Sequence, residues 1–278
     1  MRSVHPSVYT TAYYLSDCTG YQEFLQSGGK DLNDRFRILL SVLPFSPRKK
    51  VLDIGSGRGE MCVYAAQQGC TVIGVDYSRD AITLARKMLR TQPKHIQKRV
   101  QFIQSFITSL HFPSKSFDII YSIETFEHLY PEELEILLSG VRKWLKDDGV
   151  FIVHTAPNRW FNDIGYPLYC HPMSKCLVHL WNSIFRTHYP HNAHPTKLRT
   201  ESHHTMHVNE PTYFSLQSLF KKHRFSFTIT STNVTIQKPV LSWKDSLFNT
   251  LVYLMPLSKF LPFNIVFGND FLVSAKKK

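Results

Sequence analysis

The chain has 278 residues, 43% hydrophobic and 19% charged, which describes an ordinary globular protein able to bury one large core. Lys and Arg total 33 against 21 Asp and Glu, a net charge of +12 that favours anionic partners: nucleic acid, acidic lipid headgroups or phosphorylated substrates. The same excess also fits a plain solvated basic surface. The five cysteines (Cys18, Cys62, Cys70, Cys170, Cys176) are scattered with no Cys-x-x-Cys, which argues against a disulfide framework or thiolate zinc site and suits a reducing compartment. The N-terminus has no apolar stretch resembling a signal peptide, and no apolar run is long enough to span a bilayer. The expectation is a cytoplasmic protein.

Residues 1–44 form an expected N-terminal lid or helical segment, rich in tyrosine at Tyr9, Tyr13, Tyr14 and Tyr21. Within it, Leu32, Phe36, Leu39, Leu40 and Leu43 recur at helical spacing over Lys30–Leu43. Residues 45–276 then alternate strand and helix, the pattern of a mostly parallel sheet covered on both faces. Strands are expected at Val51–Ile54, Thr71–Val75, Val100–Gln104, Phe117–Ser122 and Val150–His154, the last entered through a turn at Asp147-Asp148-Gly149. Helices are expected at Gly59–Gln68, from a Ser78 cap to Arg90, and from Pro131, with acids in its first turn and lysines near its end. Residues 158–206 break the rhythm with aromatics and a dense set of histidines, as functional insertions do. A helix at Val208–His223 and strands at Phe225–Thr235 and Asn269–Ala275 complete the sheet with an antiparallel edge. The apolar stretch 240–267 is read either as an amphipathic helix on a membrane or a lipid-like acceptor, or as a helix packed under the sheet edge.

Val51-Leu52-Asp53-Ile54-Gly55-Ser56-Gly57-Arg58-Gly59-Glu60 is a buried strand breaking into glycines and opening a helix. That geometry lays a ligand across a strand end and a helix N-terminus. Asp53 places a carboxylate where a pyrophosphate would be repelled and a cationic group welcomed. The apolar run Val72–Val75 ends in Asp76, at the distance from the glycines where a strand-2 acid takes ribose hydroxyls.

Strand, acid, glycine triplet, helix, strand and acid in this order resemble the class I S-adenosylmethionine-dependent methyltransferases. The resemblance implies a Rossmann-like, seven-stranded, mostly parallel α/β sheet with an antiparallel last strand and a long insertion after strand 5. It implies S-adenosylmethionine as cofactor, S-adenosylhomocysteine as product, and an enzyme. By position, Asp53, Gly55, Ser56 and Gly57 match the motif for the methionine moiety and its ammonium. Asp76 matches the acid on the ribose, and Tyr77 the residue on the adenine face. Tyr14 stands in the lid, and Ile123 at the end of strand 4 joins the cofactor contacts. Ser105, Phe106 and Ile107 match the loop that edges the adenine. Phe106 occupies the place of that loop's usual acid, leaving Gln104 or Ser105 to substitute and Ile107 to contact the ring by its backbone.

At the end of strand 4, Glu124, Glu127 and His128 are spaced to share one face of a helical turn beside the methyl donor. Three readings stand open. In the first, the trio holds and deprotonates an acceptor hydroxyl, with His128 as general base near neutral pH. In the second, Glu124, Glu127, His128 and the later His207 bind a divalent metal, as in the small-RNA 3′-terminal 2′-O-methyltransferases that the Glu-x-x-Glu-His motif resembles. In the third, the residues are structural. The Thr155-Ala156-Pro157-Asn158 exit resembles the family's turn over the acceptor. The reading adopted is methyl transfer to a small-molecule or lipid-like acceptor, at a hydroxyl oxygen, with no metal and no nucleic acid; for 240–267 the packed helix is preferred, with peripheral membrane contact left open. The alternatives are a metal-dependent RNA 2′-O-methyltransferase and a non-catalytic partner-binding protein on the same fold.

Overall fold

The computed structural model describes residues 2–16, 20–199, 201–234, 240 and 242–278. Seven strands form one sheet in the order β3-β2-β1-β4-β5-β7-β6: β1 Lys50–Ile54, β2 Thr71–Asp76, β3 Val100–Gln104, β4 Phe117–Ile123, β5 Leu145–Thr155, β6 Phe225–Thr230 and β7 Phe271–Lys277. The first five are parallel, while β7 runs antiparallel between β5 and β6. This is the Rossmann-like seven-stranded α/β sheet with an antiparallel edge. The order reverses between β1 and β4, which opens a crevice at their carboxyl ends.

The helices are α1 Thr11–Ser16, α2 Tyr21–Gln26, α3 Asp34–Leu39, α4 Glu60–Gln67, α5 Arg79–Arg90, α6 Lys94–Gln97, α7 Pro131–Trp144, α8 His171–Phe185, α9 Glu201–Met206, α10 Tyr213–Lys222, α11 Trp243–Tyr253 and α12 Asn264–Phe267. A π-helical segment, Phe161–Cys170, runs straight into α8. The starts follow local chemistry. Ser78 caps α5 by accepting from Ala81 N–H, and Tyr130 N–H donates to Glu133 at the start of α7, where Pro131 gives up no needed donor. Leu52, Ile54, Phe151 and Leu138 fill the core on one face of the sheet, and Val51, Met61, Phe102 and Ile119 fill it on the other.

Several boundaries move. The helix expected over Lys30–Leu43 is α3 alone, because the Asn33 side chain caps it by accepting from Phe36 N–H. The turn expected at Asp147–Gly149 lies inside β5, whose pairing with β4 is irregular between Phe117 and Ile119. The helix expected from Val208 starts at Tyr213 under a Thr212–Ser215 capping box. Strand β6 ends at Thr230, and Thr235 lies outside the described residues, as does Cys18.

The stretch 240–267 is not a single helix. Only its later part meets the sheet edge, where Asn264 Nδ2 donates to the Ile229 carbonyl of β6, Ser231 N–H donates to the Lys259 carbonyl and Ile265 packs on the core. Its α11 packs on α8 and the π-helical segment, and its α12 on that segment. With Phe161, Trp181, Phe248 and Val252 at their centre, these elements build a third apolar cluster outside the sheet. The physical reason is the insertion's own apolar faces, which need a partner, and α11 supplies it. Among the described residues, no helix is long and apolar enough to cross a membrane.

Candidate active site

At the carboxyl end of β1 the chain turns through Gly55, Gly57 and Gly59, with φ of +78°, +49° and +82°. A Cβ on Gly55 would stand 2.1 Å from Thr125 Oγ1, so the loop's path against β4 requires glycine there. Asp53 is buried, and its Oδ2 accepts from Tyr121 Oη at 2.9 Å and from Cys62 Sγ at 3.2 Å. Both donors reach the same oxygen, which leaves Oδ1 for the cavity that Asp53 lines. Burial pushes this carboxyl up to about 7, against the pull of those two donors. Asp76 ties the loop to β2: Oδ2 accepts Gly57 N–H and Oδ1 accepts Ser78 N–H, each at 2.9 Å. Burial raises it to about 6. Ser56 Oγ is buried without a hydrogen-bond partner on the same loop, the kind of orphan that a polar ligand satisfies.

Tyr77 and Phe106 face each other with ring centroids 5.5 Å apart, and Phe106 is 43% exposed. The residue in place of the usual acid thus extends an aromatic wall. Of its two substitutes, Gln104 is turned to the Tyr77 carbonyl, whereas Ser105 lines the cavity together with Ile107 and Ile123.

Glu124, Glu127 and His128 do not share a helical face. Glu124 adopts a left-handed backbone (φ +50°), and a 3-10 turn begins only at Phe126. Their side chains part accordingly. Glu124 is held by Arg35, whose Nη1 donates at 2.8 and 3.0 Å. Glu127 is buried and accepts from Thr155 Oγ1 at 2.8 Å; burial, and then the charge of Glu124, push it up to about 8. His128 Nδ1 lies 3.1 Å from Met206 O and 2.9 Å from Tyr9 Oη. A carbonyl oxygen can only accept, so Nδ1 carries the proton and Nε2 the lone pair. Burial lowers this imidazole to about 4, so it is neutral at physiological pH and a weaker base than the sequence suggests. The fourth metal candidate, His207, comes within ring contact of His128 at 4.9 Å, and its Nδ1 has no partner. One ligand atom from each of Glu127, His128 and His207 lies within 4.8 Å of the others; Glu124, drawn off by Arg35, is outside the set. A buried carboxylate with two neutral imidazoles is a donor set that suits a divalent cation.

Other residues complete the site that the sequence did not single out. Arg35 comes from α3. Arg58 is paired with Glu60 at 2.6 Å, both buried, and Nη1 donates to the Tyr14 carbonyl at 2.5 Å. Its guanidinium also lies over the Tyr21 ring. The N-terminal segment is thereby fastened across the mouth. Tyr9, Tyr13 and Tyr14 line the cavity, Ser78 Oγ donates to the Tyr9 carbonyl, and Thr11 N–H donates to Asp80. The resulting cavity is 470 Å³, and the glycine loop, both acids, the aromatic wall, Glu127 and His128 all border it. His203 and Met206 close it from α9.

The crevice at the β1/β4 reversal, with an acid on β1, glycines in left-handed conformations and an acid ending β2, is that of a Rossmann-like cofactor site. Residues 52–153 match the family described as "Methyltransferase domain". The chain is 32% identical over 139 residues to an uncharacterized methyltransferase of Synechocystis, covering 49% of this chain and 60% of that protein. It is 31% identical over 121 residues to a ubiquinone biosynthesis O-methyltransferase of Bartonella quintana, covering 44% and 46%. The chain thus spans about half the length of the curated relatives it matches. A putative S-adenosylmethionine-dependent methyltransferase from Listeria monocytogenes shares the fold at a TM-score of 0.52 and 17% identity, over 91% of this chain and 99% of that one.

Proposed function

We propose that the protein transfers the methyl group of S-adenosylmethionine to a hydroxyl oxygen of a small-molecule or lipid-like acceptor. The observation that carries this reading is the one cavity bordered by both the Asp53–Gly59 loop with Asp76 and the Glu127–His128 pair. When bound, the cofactor supplies an electrophilic methyl on a sulfonium. Asp53 Oδ1 would pair with its ammonium, the unpartnered Ser56 hydroxyl would donate to its carboxylate end, and Asp76 would take the ribose hydroxyls. Tyr77 and Phe106, joined as one aromatic wall, would lie against the adenine, and Tyr14 would border the sulfonium.

Methyl transfer is an in-line displacement, so the chain's main task is alignment. His128 Nε2 receives the acceptor's proton. The oxygen becomes strongly acidic as it gains the methyl, so even an imidazole weakened by burial can remove the proton late in the step. Glu127, protonated at neutral pH, offers the acceptor oxygen a hydrogen bond without adding a repelling charge. A second reading, metal-assisted methylation of an RNA ribose hydroxyl, draws its support from the clustering of Glu127, His128 and His207.

Calorimetric titration of S-adenosylmethionine into the metal-stripped protein and its Asp76→Ala variant tests the cofactor site. Micromolar binding weakened at least about a hundredfold in the variant is expected, since two backbone donors lose their acceptor along with the ribose. No binding to the wild type would leave a partner-binding scaffold. A following Mn²⁺ titration separates the two readings: tight binding abolished by His207→Ala supports the metal, and its absence removes it.

A further inference from the structure

The third apolar cluster has an outer face that the methyl-transfer site leaves unexplained. Helices α8 and α11 run antiparallel: the Trp181 and Phe248 rings meet at 5.7 Å, and one turn further along α8 the Phe185 ring meets that of Trp243 at 5.5 Å. In an antiparallel pair, the residues preceding two facing positions rotate to the same side. Those residues are Leu180, 55% exposed, and Leu247, 39% exposed. One turn outward on the same side lie Ile184 and Trp243, 62% and 63% exposed. At the other end, the exposed Leu251 continues the α11 side of the ladder one turn beyond Leu247, and Tyr169 Oη donates to its carbonyl at 2.8 Å. The result is a ladder of apolar side chains two helices wide, in water, over a packed core. An apolar face of this extent marks an interaction surface.

The charges around the ladder are of one sign. The exposed Arg186 ends α8 next to Phe185, and Lys244 of α11 lies with Nζ 5.4 Å from the Phe185 ring centre, beside Trp243. The acid on α11, Asp245, is engaged by Ser242 and Tyr189, and Asp163 of the π-helical segment is paired with Arg159 and Arg199. Beyond α11, the chain adds Leu257, Phe260 and Leu261, each more than half exposed, with Lys259 among them. Large apolar side chains including a tryptophan, flanked by lysine and arginine with the acids neutralised, match a bilayer interface with anionic headgroups better than a protein surface.

We propose that the outer face of the α8–α11 pair seats the protein on the surface of a lipid bilayer carrying anionic headgroups. The helices lie in the interface plane, the ladder enters the headgroup–acyl boundary, and the basic residues meet lipid phosphates. The inner face of the same insertion reaches the cavity through Asn162 and Leu198. Seating does not depend on methyl transfer, so its test stands apart from that of the active site.

The test is co-sedimentation of the full chain with vesicles of phosphatidylcholine alone or mixed with phosphatidylglycerol. Wild type should pellet with the anionic vesicles and more weakly with neutral ones. Leu180→Gln/Ile184→Gln/Trp243→Gln/Leu247→Gln replaces only exposed side chains and should bind at least about tenfold more weakly to both. Arg186→Gln/Lys244→Gln should lose the preference for anionic vesicles and keep the residual neutral binding. Cofactor titration of each variant confirms that the fold is retained. Absence of wild-type binding to either vesicle, or unchanged binding by the quadruple variant, overturns the proposal. So does a dimer in analytical ultracentrifugation that the quadruple substitution dissolves, since a second copy would then cover the face.

Discussion

Asp53 is a carboxylate held out of water with two neutral donors and no cation, and its behaviour should be readable in solution. Its folded-state pKa of about 7 stands above the ordinary 3.8, with burial as the chief cause. Between those values the native chain holds a proton that the unfolded chain has released, so the contribution to stability falls as pH rises from about 4 to about 7 and is flat above. Asp53→Asn removes the titration, and its amide oxygen can still accept from Tyr121 and Cys62. The ligand-free variant should therefore melt a few degrees above wild type at about pH 8 and level with it at about pH 4. Binding should show the opposite sign. If the cofactor's ammonium pairs with the ionised form, wild-type affinity drops about tenfold per unit below about pH 7, and the asparagine variant binds weakly at every pH. A pH-independent wild-type affinity would remove Asp53 from the ammonium site. Asp53 could be singled out from sequence because its role depends on the glycines two positions away. The Arg35–Glu124 contact could not, since 89 residues separate the partners and nothing local couples them.

Among the elements, the β1–α4 turn is the most constrained. Gly59 has φ +82°, and a Cβ there would meet Phe102 Cζ at 2.5 Å and Cε1 at 2.8 Å, ring atoms with core on every side. Gly57 is also left-handed, but its Cβ would meet only Tyr14 Cε1 at 3.8 Å. Gly59→Ala should thus cost about 2–4 kcal/mol, from backbone strain and overpacking together, and Gly57→Ala about 1 kcal/mol from strain alone. Urea denaturation reads both, and equal losses would contradict the contact argument. The strands and the helices α4, α5 and α7 were legible because their periodicity and caps are local. Stretch 240–267 showed apolar residues at helical spacing but not the surface they face. That surface is the insertion, which has no strand alternation or motif to identify it as a partner.

Across the molecule, the N-terminal segment is joined to the cofactor crevice by contacts from four different places: Arg58 to Tyr14, Ser78 to Tyr9, Asp80 to Thr11, and His128 to Tyr9. If this segment is the lid, S-adenosylhomocysteine should slow amide hydrogen exchange over residues 9–16 in step with the Gly55–Gly59 loop, by about tenfold or more. Slowing confined to the glycine loop would make α1 an ordinary packed helix.

The sequence by itself determined the alternation of strands and helices, the glycine turn and the two acids that frame it. Each of these is set by dihedral preference, periodicity or spacing within a few residues. Only the tertiary structure decided that Glu124 is spent on Arg35, that Met206 fixes the tautomer of His128, that His207 joins Glu127 and His128, and that α11 leaves an apolar face in water. Those outcomes depend on which distant side chains burial forces together, and on the loss of solvation that shifts their protons once they meet.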